Sequence, residues 1–249
     1  MTDRVPTGIP GLDEALSGGF PRGRTLLLSG TCGTGKTTFG IQYLYNGAIK
    51  HNEPGVLITL EQNREEMKKD MLSLGMDLKK LEDDNKLIII DTSLSRVGIR
   101  DFINTPTSAP TGSFSLLPGE FNMDNIVALA IQSAEKIDAK RIVIDSLPAL
   151  DYLIKDAHDI RRTLITMAYE LKNKNLTTLL LTEGHDEETI STHGVEEYIA
   201  DGVIILKANE ALDTRTIKIR KMRITKHTLK PITFEFGPNG IQIKQGKGI

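Results

Sequence analysis

The chain has 249 residues, 39% of them hydrophobic, and a formal net charge of −2. That apolar content builds a full core, read here as a single α/β domain over residues 1–249, and the near-neutral balance excludes a global pull toward nucleic acid or an anionic membrane while leaving a local basic patch open. One cysteine, Cys32, excludes an internal disulfide framework and a multi-cysteine zinc site, and the lack of any apolar run near the roughly 18 residues of a membrane span predicts a soluble, cytoplasmic protein.

The first apolar run, Thr25–Ser29, leads into Gly30-Thr31-Cys32-Gly33-Thr34-Gly35-Lys36-Thr37-Thr38, a phosphate-binding loop of the G-x-x-x-x-G-K-[ST] type. Its glycines let the backbone bend, so that successive N–H groups over Gly33, Thr34, Gly35, Lys36, Thr37 and Thr38 converge on phosphate oxygens. A helical pattern follows over 36–50, carried by Phe39, Tyr43, Leu44 and Ile49, and it adds the positive end of its dipole. Lys36 is placed to reach the β- and γ-phosphates, and Thr37 to offer its hydroxyl to Mg²⁺. The loop implies that a nucleoside triphosphate binds, and leaves open what the binding is for. Cys32 within it is either a small space-filling side chain or a redox switch.

A triphosphatase also needs a carboxylate for Mg²⁺, a carboxylate that orients the attacking water, and a cation for the developing charge. The run Gly55–Leu60 ends in Glu61. On a strand next to the nucleotide, Glu61 lies one water from the γ-phosphate; otherwise it is a solvated strand end. Asn63 with Glu66 forms a capping-box pattern before Met67, Met71 and Leu74. After the run Lys86–Asp91 the pattern breaks over 92–123, where Asn104–Ser113 is rich in turn formers and reads as a mobile loop. Phe102, Phe114 and Phe121 either contact a partner or tether that loop.

A helix over 124–137 begins at Asp124, and the run Arg141–Asp145 reads as a buried strand. Its terminal Asp145 emerges at the strand's C-terminal edge, where phosphate loops open; it is a metal-binding carboxylate or the cap of the next helix. A helix over 156–172 precedes the run Thr178–Thr182, and the acidic stretch Glu183–Glu188 reads as a solvated loop. His51, His158, His185 and His193 show no ligand spacing and read as surface or structural. Most of these runs, and Gly202–Leu206 after them, lack clean alternation. That predicts a mainly parallel central sheet covered by helices on both faces.

From 212 to 245 the character changes to antiparallel strands, with a turn at Gly237-Pro238-Asn239-Gly240 between Ile232–Phe236 and Ile241–Ile243. Ile217 and Ile219 are apolar, but so are Met222 and Ile224, so the inward register slips between 219 and 222 and predicts a bulge or break. Beyond it Lys221, Arg223, Thr225 and His227 share one strand face at period two. That face suits an anionic ligand. A solvated basic strand is the alternative, as is nucleic acid, given Arg215, Lys218, Arg220, Lys226 and Lys230 nearby. The stretch carries no aromatic residues for base stacking, which weakens the last.

Several further segments join these. They are Thr7-Gly8-Ile9-Pro10-Gly11-Leu12-Asp13, Gly18-Gly19-Phe20-Pro21-Arg22-Gly23, Phe39–Gly47, Glu53-Pro54-Gly55-Val56, Ile144-Asp145-Ser146, Gly194–Asp201 and Lys221-Met222-Arg223. In this order the set resembles the KaiC family, within the RecA/RadA superfamily of P-loop ATPases, over about residues 4–245. The resemblance implies a RecA-like fold and Mg²⁺-dependent ATP hydrolysis in a homohexameric ring, with ATP between subunits. It implies that Lys221 and Arg223 act in trans on the neighbour's γ-phosphate, with Met222, Thr225 and His227 in the same contact. It also implies that Ser73 touches the nucleotide near its base and that Glu61 activates water.

The family often shows Glu-Glu where this chain has Glu61-Gln62, so hydrolysis rests on Glu61 alone and is expected to be slow. Around Glu197-Tyr198 the chain is similar to the ATPase half of two-domain relatives and lacks the Ser-Thr phosphoacceptor pair, so autokinase activity is not expected. Two alternatives stand beside the ring ATPase. One is a weakly hydrolysing ATP sensor or scaffold whose state a protein partner reads. The other is a recombinase-like binder of single-stranded DNA, disfavoured because 92–123 contains only Arg96 and Arg100 as cations.

Overall fold

The computed structural model describes residues 3–92, 114–115, 123–152, 154, 156–184 and 189–244. In chain order it contains β1 (Arg4–Val5), β2 (Phe20–Pro21), β3 (Thr25–Gly30), α1 (Lys36–Lys50), β4 (Gly55–Thr59), α2 (Arg64–Ser73), α3 (Leu78–Asp83), β5 (Leu87–Asp91) and β6 (Phe114–Ser115). It continues with α4 (Met123–Lys136), β7 (Arg141–Asp145), α5 (Ala157–Asn173), β8 (Thr177–Glu183), α6 (Glu196–Ile199), β9 (Gly202–Asn209), β10 (Thr214–Met222), β11 (Ile232–Gly237) and β12 (Gly240–Ile243). Strands β1 and β2 form a small antiparallel pair. The rest form one sheet in the order β12-β11-β10-β9-β3-β8-β7-β4-β5-β6. From β9 to β6 all pairs are parallel, and β10, β11 and β12 extend the sheet antiparallel.

The expected mainly parallel sheet with an antiparallel C-terminal segment is therefore present. Every residue of β3, β4, β5 and β7 is buried, which is why these runs show no period-two alternation. Successive side chains still point to opposite faces. Leu26 and Leu28 of β3 join Phe39, Ile41 and Tyr43 of α1 in one core, and Leu27 joins Ile126 of α4 and Leu164 of α5 in the other. Asn63 and Asp156 cap α2 and α5 by accepting from backbone N–H groups. The expected slip in β10 is a register shift between Ile219 and Lys221.

One expectation fails here. Strand β10 ends at Met222, and Ile224 takes a left-handed φ of 53°, so the chain turns away. Thr225 and His227 do not continue the strand face that carries Lys221. Ile224 keeps an apolar period that imitates a strand, and its backbone breaks it. The loop expected over 92–123 lies outside the described residues except for Thr92, β6 and Met123, and so do Phe102, Phe121 and His185. Among the described residues, no helix is long and apolar enough to cross a membrane.

Candidate nucleotide site

Four of the expected residues converge at the C-terminal edge of the parallel strands. The phosphate loop leaves β3 there, with positive φ at Gly33 (74°) and Gly35 (98°), a backbone state that glycine reaches without steric cost. Gly35 also lies under Phe236, whose Cζ comes within 2.6 Å of where a Cβ would stand. Lys36 folds over the loop, donating from Nζ to the carbonyls of Gly30 at 2.8 Å and Thr31 at 3.0 Å. Thr37 hydrogen-bonds the Asp145 carboxylate. Glu61 follows the end of β4, and Leu60 N donates to Asp145 O at 2.6 Å. Strand β4 is not next to β3, since β8 and β7 lie between them; Glu61 belongs to this group through its neighbour Asp145.

Electrostatics ties the four together. Burial pushes the Asp145 pKa up to about 6; the Thr37 hydrogen bond opposes that rise, the Glu61 carboxylate adds to it and the Lys36 ammonium works against it. A buried carboxylate with an adjacent hydroxyl is a hard-oxygen pair that a divalent cation would satisfy. Among the described residues no group of three or more His, Cys, Asp or Glu gathers to hold a metal. The residues thus fit Mg²⁺ held by one carboxylate, one hydroxyl and the substrate's phosphates, rather than a protein cage.

Lys221 and Arg223 lie elsewhere. Gly30 pairs with Leu206, while Leu26 pairs with Gly202 and Gly202 with Met222. The cations therefore sit at the N-terminal edge of the parallel strands, four strand residues from the loop, or roughly 13 Å along the sheet. These cations also have partners in their own chain. Lys221 Nζ donates to the carbonyls of Glu197 at 3.1 Å and Ala200 at 2.6 Å. Burial and the nearby Arg223 lower its pKa, opposed by Asp201 and Glu197. Arg223 Nη1 reaches Asp201 Oδ1 at 3.4 Å. Thr225 accepts from Arg4 Nη1 at 2.5 Å, and His227 Nδ1 is 3.1 Å from Thr228 O. Charged side chains find same-chain oxygens wherever geometry allows, and period-two spacing does not reveal them.

Ser73 stands exposed at the last position of α2 and donates to Asp70 O at 2.6 Å. Beside it, Leu74 and Gly75 line a cavity of about 310 Å³, together with Gln42, Asn46 and Asn239. No residue of the phosphate loop lines that cavity.

Glu183, expected to open a solvated acidic loop, is instead the last residue of β8. It lies opposite Gly30 and its Oε1 is 4.0 Å from Lys36 Nζ. Its signal was present, because an apolar strand ending in an acid is what singles out Glu61 and Asp145. Asp201, which is 4% exposed and meets Arg24, Lys172 and Arg223, had no such signal, since its partners come from distant elements.

A family model described as KaiC ATPase matches residues 5–248. The circadian clock oscillator protein KaiC of Thermostichus vulcanus is 35% identical over 243 residues, covering 96% of this chain and 44% of that protein. The same protein of Parathermosynechococcus lividus is 36% identical over 240 residues, covering 95% and 41%. The chain thus spans less than half the length of these curated relatives. The crystal structure of a KaiC-like protein from the archaeon Pyrococcus horikoshii OT3 matches with a TM-score of 0.82 and 38% identity, covering 98% of this chain and 100% of that one. With the phosphate loop, the strand-end acids and the sheet order in place, the chain belongs to the KaiC family of ATPases.

Proposed function

We propose that the protein is a slow Mg²⁺-dependent ATPase that works as a ring of identical subunits, six in number, with each ATP held between two of them. The observation that carries this reading is the sheet register. The phosphate loop and the Lys221–Arg223 pair occupy opposite edges of the same parallel strands, so neither half of the site can complete the other within one subunit. In a head-to-tail ring they meet.

Within each site Gly33 to Thr38 and Lys36 bind the phosphates, Thr37 and Asp145 hold Mg²⁺, and Ser73 contacts the base end. Mg²⁺ supplies neutralisation of phosphate charge. Glu61 orients the attacking water and accepts its proton. Lys221 and Arg223 of the neighbour take up charge on the transferred phosphoryl group, with Thr225 and His227 closing the contact; Met222 is 5% exposed and packs into the core instead. Gln62 Nε2 is bonded to Asp70 Oδ2 at 3.0 Å, which ties it to α2 and leaves Glu61 without a second acid. An amide in place of a second acid favours slow turnover, and with it a second reading in which a protein partner senses the ATP-bound ring.

The test is trans-complementation. Glu61→Gln and Lys221→Ala are each expected to abolish turnover while sparing ATP binding. Mixed one to one, they should regain about a quarter of wild-type turnover, because random assembly pairs an intact water-activating acid with an intact neighbouring cation at that frequency. No recovery on mixing sinks the shared site.

A further inference from the structure

His193 has no part in the chemistry described so far, yet its side chain is only 9% exposed and both its ring nitrogens meet carboxylates. Nδ1 lies 2.9 Å from Glu196 Oε1, and Nε2 lies 3.0 Å from Asp151 Oδ1. A neutral imidazole donates one hydrogen bond; only the imidazolium donates two. Burial disfavours that charge, but hydrogen bonds to Glu196 and Asp151 outweigh it and hold the His193 pKa above its ordinary value. The three side chains form a carboxylate–imidazolium–carboxylate bridge.

Its two ends reach different parts of the nucleotide machinery. Asp151 belongs to the 3₁₀ segment Leu147–Tyr152, which begins just past Asp145 at the end of β7. Glu196 opens α6 and is 1% exposed. It also accepts from Thr182 Oγ1 at 3.3 Å, from His193 N at 3.2 Å and from Val195 N at 3.1 Å, so it is fixed from several directions. The carbonyls that hold Lys221 Nζ belong to Glu197 of α6 and to Ala200 just after it. On the other side, Thr192 Oγ1 donates to the carbonyl of Glu183, whose carboxylate faces Lys36. Polar contacts therefore reach Glu196 from the phosphate edge of the sheet by two routes, one from Glu183 through Thr192 and Thr182 and one from the segment after Asp145 through Asp151, and His193 is the side chain that joins that second route to α6.

We propose that His193 is a positioning residue that couples the two half-sites of a subunit. It ties the segment behind Asp145 to the anchor of Lys221, so that nucleotide in a subunit's own loop sets the cation offered to the neighbour's γ-phosphate. This rests on the shared-site reading and adds the residue through which occupation of one site is felt at the next. A histidine placed for packing alone has no use for two carboxylates, and one placed for solvation would not be shut from water.

The experiment measures phosphate release against ATP concentration for the full chain and for His193→Gln, Asp151→Asn, the double variant and Lys221→Ala. Affinity for a fluorescent ATP analogue and mass by light scattering in ATP are read on the same samples. Both single variants are expected to keep affinity, mass and KM while kcat falls about tenfold, within the range of coupling between linked sites. The double variant should be no slower than either single one, because one bridge can be broken only once. Asp151 is 58% exposed, so Asp151→Asn keeps the test informative should His193→Gln fail to fold. The proposal is overturned if Asp151→Asn turns over within about twofold of wild type while Lys221→Ala is slow, or if the two losses multiply. Wild-type protein without turnover, or Lys221→Ala as fast as wild type, overturns the shared-site reading instead and the bridge with it.

Discussion

Arg141 carries a full charge into the core at the start of β7, and its side chain is 0% exposed. All three of its guanidinium nitrogens are hydrogen-bonded. Nε donates to Glu53 Oε2 at 2.9 Å, Nη2 donates to the same carboxylate, and Nη1 donates to the carbonyls of Pro6 and Tyr43, each at 2.9 Å. Arg22 takes the other Glu53 oxygen at 2.7 Å. Breaking such a pair from one side leaves an uncompensated buried charge, so Glu53→Gln should cost about 3–5 kcal/mol, read as a lower urea midpoint at neutral pH. The pH dependence has a definite sign. Burial raises the Glu53 pKa, but Arg22 and Arg141 outweigh it and hold the pKa below its ordinary 4.5. The folded chain then binds fewer protons there than the unfolded one, so this stability is complete above pH 4.5 and is lost as pH falls through the folded value. Wild type should lose more of its urea midpoint on acidification than Glu53→Gln; parallel losses would remove Glu53 as the cause. None of this was legible in the sequence. Lys36, Thr37 and Asp145 announce themselves through local motifs, whereas Glu53 and Arg141 are 88 residues apart and no pattern joins them.

At the scale of the element, β10 shows where sequence patterning holds and where it stops. The slipped apolar period at Ile219 and Met222 is a real register shift, because inward positions must stay apolar whatever the backbone does between them. The end of the strand was misread because Ile224 is β-branched and suits a strand, yet it takes a left-handed φ of 53°. Neighbours hold that turn in place. Arg4 Nη2 donates to Ile224 O at 2.8 Å and Ser17 Oγ donates to Lys226 O at 3.1 Å. Ile224 is 56% exposed, so little packing offsets the strain. Relief of about 1–2 kcal/mol in the left-handed region, less roughly 0.5–1 kcal/mol for the extra freedom of unfolded glycine, leaves Ile224→Gly more stable by up to about 1.5 kcal/mol. The urea midpoint should rise. A fall would mean that the isoleucine side chain makes contacts worth more than the strain.

For the whole molecule, the longer strands and their direction are readable, the two-residue strands β1, β2 and β6 are not, and neither is strand order. Buried runs between helices imply parallel strands, but nothing local says that β8 and β7 separate β4 from β3, or that Gly202 carries Met222 back to the far end of β3. Order follows from pairing between distant segments, and it is order that puts the loop and the cations on opposite edges. If ATP is what bridges the loop of one subunit to the cations of the next, nucleotide binding and ring closure are linked, and each must strengthen the other. Lys36→Ala removes the ammonium nearest the phosphates, so it should stay small on light scattering at ATP concentrations where wild type becomes a ring. Glu61→Gln keeps the phosphates, the metal-binding pair and the neighbour's cations but cannot convert ATP to ADP, so its rings should outlast wild-type rings once free ATP is removed. A Lys36→Ala protein that still closes into rings as wild type does would separate assembly from the nucleotide, and the sheet would then bring subunits together for a reason other than the phosphate.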